Sequence, residues 1–461
     1  VEYPHVLLAP SDSLGLPATS VSPHHGDWHA TFNHYRAWAN TAFPEGNSDR
    51  MASLYYCRRD YPLGGTDYLY DRRAGHYSFD QLIEESVRAF GDIDMVDISG
   101  WAYNEEIGRV GTYLENDLGG LTALKDGIVA AHAQGVQVGL YFEGYLVDRR
   151  STWAEAGLPA WQIIRQDGTG VWWSAEMEFF CCPGVKAWRE EFTDAVVTVA
   201  ETTRADAVYV DQFGICDAGK ECWATDHGHA VPSNPLREET EFLRLLREKL
   251  DARGLNTAIY IEHVPCDAMV ELVDGVFNAA ALGVDATHGT ALLPLHRFVF
   301  PQLSTFQMPA HGIRPMPAPA DEIHRAFFYG LGLWLKGRGD SWFDANFRAA
   351  SKTYAPLYER LSDVLSYGEA EPLLPTLMNG VVANTYRTDD TLLVTLYNTR
   401  PDTVSGPVFV ATVPVDWKFE ALLTTTAKIE TTDNGGQVVV DVMGPKTVGA
   451  YVFWEEEDVK D

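Results

Sequence analysis

The chain has 461 residues, with 35 Lys and Arg against 65 Asp and Glu, a formal net charge of −30 at pH 7. So acidic a chain lacks the cationic surface that neutralises phosphates, which argues against nucleic acid as a partner and favours a neutral ligand. Hydrophobic content of 46% with 22% charged residues argues against disorder, and the length suits a barrel of about 250 residues plus a smaller domain.

From Val1 to about Pro23 the chain is rich in Pro and Ser and reads as the tail of a preceding element. Trp28, Phe32, Tyr35 and Trp38 then fall at helical spacing behind Asp27, a natural N-cap. Residues 51–76 mix aromatic and basic side chains without a period and read as an ordered connection. A helix from Phe79 to Phe90 precedes a first barrel strand, Asp94 to Trp101, whose Asp97, Gly100 and Trp101 suit a pocket wall. Leu121–Gln134 is helical and stopped by Gly135, and a second strand, Val136–Phe142, delivers Glu143. Within Trp161–Pro183 the run through Trp173 to Phe180 supplies a third strand, and Val185–Thr203 the next helix.

Ala207-Val208-Tyr209-Val210 is a short β-prone run too brief for a helix, and it ends in Asp211 and Gln212. Leu236–Arg253 is an amphipathic helix closed by Gly254, and a fifth strand, Thr257–Ile261, ends in Glu262 and His263. Asp267–Val273 leads to a sixth strand, Gly275–Asn278, with Asp285 in the loop after it. Arg297–Pro301 reads as a seventh strand followed by a long loop holding His311, and Ala326–Trp334 supplies the eighth element. This alternation predicts a closed (β/α)8 barrel over 79–366, preceded by an N-terminal segment over 1–78. From 367 to 461 short strands separated by Asp, Asn, Gly and Pro turns predict an antiparallel β-sandwich.

Two successive strands that each deliver an acid to the same rim give the layout that two-carboxylate chemistry needs. Asp211 and Glu262 are therefore the candidate catalytic pair. Asp97, Trp101, Glu143, Trp173, Gln212, His263, Asp285 and His311 are candidate substrate-binding residues around them. The 13 Trp, 21 Tyr and 21 Phe supply rings for stacking on a ligand as well as for the core.

No run of about 18 apolar residues and no basic-then-apolar start is present, so neither a membrane partner nor a signal peptide is expected. The expected protein is soluble, cytoplasmic or secreted after processing, with compartment and homo-oligomerisation left open. Six cysteines make no disulfide framework, although Cys216 and Cys222 are spaced to bridge one loop. His227-Gly228-His229 lacks ligand partners nearby in sequence and reads as loop, so no metal and no other cofactor is expected.

A Trp-x6-Tyr-Arg-x-Trp helix (Trp28, Tyr35, Arg36, Trp38), Cys182-Pro183-Gly184 followed by a helix with Trp188, the Tyr209-Val-Asp-Gln212 strand end and a C-terminal sandwich recur together in a known group. Their combination resembles the glycoside-hydrolase barrels related to α-glycosidase families 31, 36 and 101. In full-length members a β-sandwich usually precedes the Tyr-Arg-x-Trp helix; this chain is expected to start at its last strand. The resemblance implies a retaining hydrolase of an oligosaccharide or glycoside with Asp211 as nucleophile. Its acid/base is either Glu262, after strand five, or Asp285, after strand six. The Lys-Trp-Asp and Trp-x-Gly-Asp forms of families 31 and 36 are absent. Transglycosylation on the same scaffold, a non-catalytic glycan-binding barrel, and a metal-dependent site built on Glu143, Asp211 and Glu262 are the alternative readings.

Overall fold

The computed structural model describes residues 10–11, 13, 15, 21–44, 49–59, 70–106, 110–111, 113–173, 177–214, 220–278, 293–309, 320–336, 343–414, 417–423, 427–432 and 435–455. Eight parallel strands close a barrel: β1 Tyr56–Arg59, β2 Met95–Ile98, β3 Gln137–Glu143, β4 Ala207–Asp211, β5 Ala258–Ile261, β6 Gly275–Asn278, β7 Ser304–Gln307 and β8 Gly332–Lys336. Each pairs with its sequence neighbours, and β8 returns to β1 through Tyr56 opposite Leu333. The connecting helices include Phe79–Phe90, Gly120–His132, Lys186–Thr203, Pro235–Ala252, Ala320–Phe328 and Ala345–Tyr367. Parallel strands need such crossovers, and the helices cover the outer face of the sheet.

The two-residue alternation of a strand decides what fills the barrel. Cys57, Met95, Tyr141, Ala207, Tyr209, Ala258, Tyr260, Phe277, Phe306 and Trp334 form one buried cluster inside it, while Val96, Val138, Leu140, Val208, Ile259 and Val276 belong to the core outside. Gly139 is placed where a side chain would not fit, since a Cβ there would lie 2.7 Å from the Tyr260 hydroxyl. Its absence lets Tyr260 cross the barrel to Asp97.

Several element assignments change. The barrel opens with β1, inside the stretch read as a connection. Two arginines gave it a surface composition, but Arg58 lies beneath the Phe90 ring and Arg59 faces Asp97 inside the barrel. The stretch read as the third strand instead forms a small antiparallel sheet of Leu146–Asp148, Glu178–Phe180 and Trp172–Trp173 outside the barrel. Arg297–Pro301 is not a strand: Leu295–Val299 is a short helix whose Arg297 donates to the carbonyls of Gly330, Leu365 and Pro301. The seventh strand is Ser304–Gln307, too polar to stand out in sequence. Ala326–Trp334 spans the junction of a helix and β8.

Beyond the barrel, a five-stranded antiparallel sheet runs in the order Glu369–Leu374, Val381–Arg387, Thr391–Asn398, Val448–Trp454, Lys418–Ala421. It packs on a three-stranded sheet of Val404–Ala411, Gly435–Met443 and Ala427–Thr432 through Val394, Leu396, Val408, Phe409 and Val438. The sandwich is tied to the barrel by Asn384 Nδ2, Tyr386 Oη and Thr395 Oγ1, which all donate to the carbonyl of Phe328. That carbonyl ends the Ala320–Phe328 helix and has no helical partner of its own.

Candidate active site

Three strands end in the same pattern: Tyr141-Phe142-Glu143, Tyr209-Val210-Asp211 and Tyr260-Ile261-Glu262. Alternation puts each tyrosine and its acid on one face of the strand, here directed to the barrel interior and its carboxyl end. The register sets Tyr141 opposite Tyr209, Glu143 opposite Asp211, and Tyr209 opposite Tyr260. The phenols therefore form a floor, with Tyr209 and Tyr260 stacked at 5.0 Å, and the acids stand above it.

Asp211 accepts hydrogen bonds on both oxygens, from Tyr209 Oη at 2.6 Å and Tyr141 Oη at 2.8 Å. Burial holds these phenols well above their ordinary pKa, so they are donors. The Tyr141 hydroxyl also lies 2.8 Å from Glu143 Oε2. Burial and the neighbouring Asp211 charge push Glu143 well above the usual carboxylate range. The Tyr141 hydroxyl thus stands between the two carboxyls, 2.8 Å from each, with one proton to donate.

Arg59 stands at the centre of this floor, 3.6 Å from Asp97 Oδ1 and 4.5 Å from the centre of the Trp334 ring, with Tyr141 and Tyr209 alongside. Burial works against its charge, but Asp97, Tyr209 and Asp211 outweigh it. Asp97 is fully buried, accepts from Tyr260 Oη, and is pushed up to about 6 by burial against the pull of Arg59.

Glu262 follows β5 and is more open than Asp97 or Glu143, its side chain 22% exposed. Its Oε2 accepts the backbone N–H of Gln212 at 3.1 Å, and His263 Nε2 lies 3.6 Å from Oε1. Gln212 makes that contact with φ at +64°, a left-handed turn that points its N–H at the neighbouring strand end. Its carbonyl accepts from Lys220 Nζ at 2.8 Å, and that ammonium sits 3.9 Å from the centre of the Tyr145 ring. Burial alone would raise Glu262, but the nearby His263 ring, with Lys220 and the Gln212 N–H, holds it below its ordinary value. Burial, then the charge of Glu262, raises Asp211.

The structure thus brings Asp211, Glu262, Gln212, His263, Glu143 and Asp97 into one network at the carboxyl end of the barrel. It does not gather every residue singled out from sequence. Trp101 is fully buried, stacks on Tyr113, and donates from Nε1 to the Tyr141 carbonyl, which makes it a prop beneath β3. Trp173 is 53% exposed on the small side sheet, its ring edge-on to Phe180. Asp97 and Glu143 are buried, Asp97 against Arg59 and the Tyr260 hydroxyl and Glu143 against the Tyr141 hydroxyl. Asp285 and His311 lie outside the described residues.

Arg59, Tyr141, Tyr209 and Tyr260 were missed as site residues. The repeated Tyr-x-acid spacing was the available signal for the tyrosines, and nothing local marked Arg59. Cys222 carries a free thiol, and Cys216, spaced to bridge one loop with it, lies outside the described residues. His227 and His229 are more than loop: among the described residues they join Cys182 and Cys222 in the one set able to converge on a metal ion. No helix of the described residues is long and apolar enough to cross a membrane.

Solved structures share this architecture across nearly the whole chain. The α-galactosidase from Lactobacillus brevis matches with a TM-score of 0.65 at 12% identity, over 93% of this chain and 59% of that one. The galactosidase domain of an α-galactosidase-sucrose kinase matches with a TM-score of 0.63 at 13% identity, over 91% and 57%. An α-amylase from Geobacillus thermoleovorans, complexed with acarbose, matches with a TM-score of 0.60 at 13% identity, over 88% and 99%. The chain thus spans less than two thirds of the two galactosidase chains, and what it shares with all three is the (β/α)8 barrel fold. No curated protein matches it. Residues 17–304, which run from the N-terminal segment through β7's first residue and hold both candidate carboxylates, match a named family, and the chain belongs to it: the domain of unknown function DUF6259.

Proposed function

We propose that this chain is a retaining glycoside hydrolase that cleaves an α-type glycosidic bond, with Asp211 and Glu262 as its two carboxylates. The observation that carries the reading is their shared setting. Asp211 has both oxygens fixed by phenolic donors, and Glu262, on the adjoining strand end, is more exposed and linked to it through the Gln212 backbone. The α-galactosidase and α-amylase names of the structural neighbours motivate the choice of an α-linkage.

In the first step the Asp211 carboxylate attacks the anomeric carbon while Glu262 protonates the departing oxygen, leaving a glycosyl ester on Asp211. Glu262 then takes a proton from water, which attacks the anomeric carbon and releases Asp211. Donors on both oxygens orient the nucleophile, and Arg59 offsets negative charge from below. Glu143 and Asp97 are positioning residues, acting through Tyr141 and through Tyr260 and Arg59.

The electrostatic bias on the pair runs the other way. Asp211 is raised and Glu262 lowered, because two neighbouring carboxylates cannot both ionise cheaply and His263 and Lys220 favour the charge on Glu262. The assigned roles therefore need a bound substrate to reverse that bias. The same directions favour a second reading with the roles exchanged, Glu262 as nucleophile and Asp211 as acid/base.

The test is hydrolysis of a panel of aryl α- and β-glycosides by the wild type beside Asp211→Ala and Glu262→Ala, with and without azide. Cleavage of an α-glycoside, with azide restoring turnover only to Glu262→Ala, supports the first assignment. Rescue of Asp211→Ala as the acid/base variant supports the exchange. Cleavage that survives both substitutions sinks the site, and no cleavage of any glycoside favours a glycan-binding barrel.

A further inference from the structure

A second convergence of reactive side chains lies apart from the carboxylates, and the hydrolase reading does not use it. Cys182 sits in the Cys-Pro-Gly turn that enters the Lys186–Thr203 helix. Cys222, His227 and His229 belong to the segment between β4 and the Pro235–Ala252 helix. One ligand atom from each of the four lies within 4.8 Å of all the others. Donors 2.0–2.3 Å from a tetrahedral ion stand ~3.3–3.8 Å apart, so the set needs only a small contraction to close on one.

Three details make this more than a crowd of side chains. His229 donates from Nδ1 to the Ala230 carbonyl at 2.7 Å, which leaves Nε2 as the nitrogen with the lone pair; that Nε2 is buried and has no hydrogen-bond partner. A metal-ligating imidazole is commonly oriented by a carbonyl in this way. Cys222 Sγ accepts the backbone N–H of Ile164 at 3.5 Å and lies 3.3 Å from His227 Nδ1, contacts suited to a thiolate. The backbone is also built to hold the four together. Cys222 N donates to Ser233 Oγ and Ser233 N to the Cys222 carbonyl, both at 2.8 Å, while Cys182 N donates to the Trp161 carbonyl at 2.7 Å. Gly184 has to be glycine here, because a Cβ would come within 2.5 Å of the His229 ring.

We propose that Cys182, Cys222, His227 and His229 bind one zinc ion in a closed structural site. Two thiolates and two imidazoles in a compact four-ligand set are the donor chemistry of tetrahedral zinc, and four protein ligands leave no open position for catalysis. The ion joins the turn before the Lys186–Thr203 helix to the segment that follows Asp211. That segment begins with Gln212, whose N–H meets Glu262, and includes Lys220, which holds the Gln212 carbonyl. Zinc would thereby brace the rim of the candidate active site from behind without touching a substrate.

The experiment uses the full chain, produced without a metal-binding tag and never exposed to chelator. Its zinc is measured by plasma mass spectrometry, and cobalt(II) is substituted and its visible spectrum recorded. About one zinc per chain is expected, with the intense d–d bands and sulfur-to-metal charge transfer of tetrahedral thiolate-bound cobalt. Cys222→Ser and His229→Gln should each weaken zinc binding more than about a hundredfold.

A wild-type chain that holds no zinc and takes up neither zinc nor cobalt at stoichiometric addition overturns the proposal. So does a Cys182–Cys222 disulfide found by non-reducing peptide mapping, or full zinc retention by a folded Cys222→Ser chain. The wild-type measurements hold even if the variants fail to fold, and none of them depends on turnover of a glycoside.

Discussion

Replacing Tyr209 by Phe removes one hydroxyl from the floor of the barrel and leaves the ring, stacked at 5.0 Å on Tyr260, in place. That hydroxyl donates to Asp211 Oδ1 at 2.6 Å. A hydrogen bond to a charged acceptor contributes about 1.5–3 kcal/mol, and each pKa unit corresponds to about 1.4 kcal/mol, so its loss raises Asp211 by about 1–2 units. The lower end applies here, because Tyr141 still donates to the other oxygen and Arg59 still faces the carboxylate. A nucleophile must be ionised, so the acid limb of kcat/KM against pH moves up by about 1 unit, and at pH values below it the rate falls about tenfold further than in the wild type.

The assay is the pH profile of wild type and Tyr209→Phe on one cleaved aryl glycoside. Tyr260→Phe serves as the comparison, since its hydroxyl goes to Asp97 rather than to Asp211. If the basic limb moves instead, Asp211 is the acid and the roles are exchanged. If neither limb moves in a folded Tyr209→Phe, the hydroxyl does not govern Asp211 and the reasoning fails.

Three other outcomes follow from the same network. His263→Ala removes the strongest influence holding Glu262 down, so Glu262 rises and, as an acid that must be protonated, carries the basic limb of the profile upward; an unmoved basic limb would count against Glu262 as acid/base. Asp97→Ala removes the buried group that Tyr260 Oη and Arg59 both meet and leaves a void behind it, which should cost about 3 kcal/mol, read from urea unfolding at pH 7, whereas a change under about 0.5 kcal/mol would show that neither needs this partner. Because Asp97 is raised to about 6 in the folded chain, its protonation favours folding, an effect fully present below about pH 4 and lost as pH rises through 6. The stability of Asp97→Asn should therefore fall less steeply than that of wild type between pH 4 and 6, and parallel curves would contradict the assignment.

The barrel and its acids were legible because they obey local rules. Tyr209-Val210-Asp211 and Tyr260-Ile261-Glu262 are short β-prone runs ended by a charge, and period two alone sends each acid to the rim of a parallel sheet. The sandwich was legible for the same reason, through alternation broken by turns. What escaped is set by partners distant in sequence. Arg58-Arg59 reads as surface until Phe90, Asp97 and Trp334 surround it. Ser304–Gln307 looks too polar for a strand, although Phe306 inside and Thr305 outside are both buried. Trp101 reads as a pocket wall because glycine and aromatics end the strand, but Tyr113 and Phe142 enclose it. The four zinc-ligand residues were unreadable as a set, since Cys182 is brought to the others only by the packing of β4 and the helices on either side of it.

The central claim is that Asp211 forms a covalent bond to the sugar, and trapping that bond tests it most directly. The 5-fluoro glycosyl fluoride of whichever sugar is cleaved slows both steps through its ring fluorine, while the fluoride leaving group restores the first, so the ester accumulates. Peptide mapping by mass spectrometry then locates the label. The account predicts one adduct per chain on the peptide containing Tyr209 to Gln212, at Asp211, and none in Asp211→Asn. An adduct on Glu262, or turnover with no adduct on either carboxylate, would contradict it.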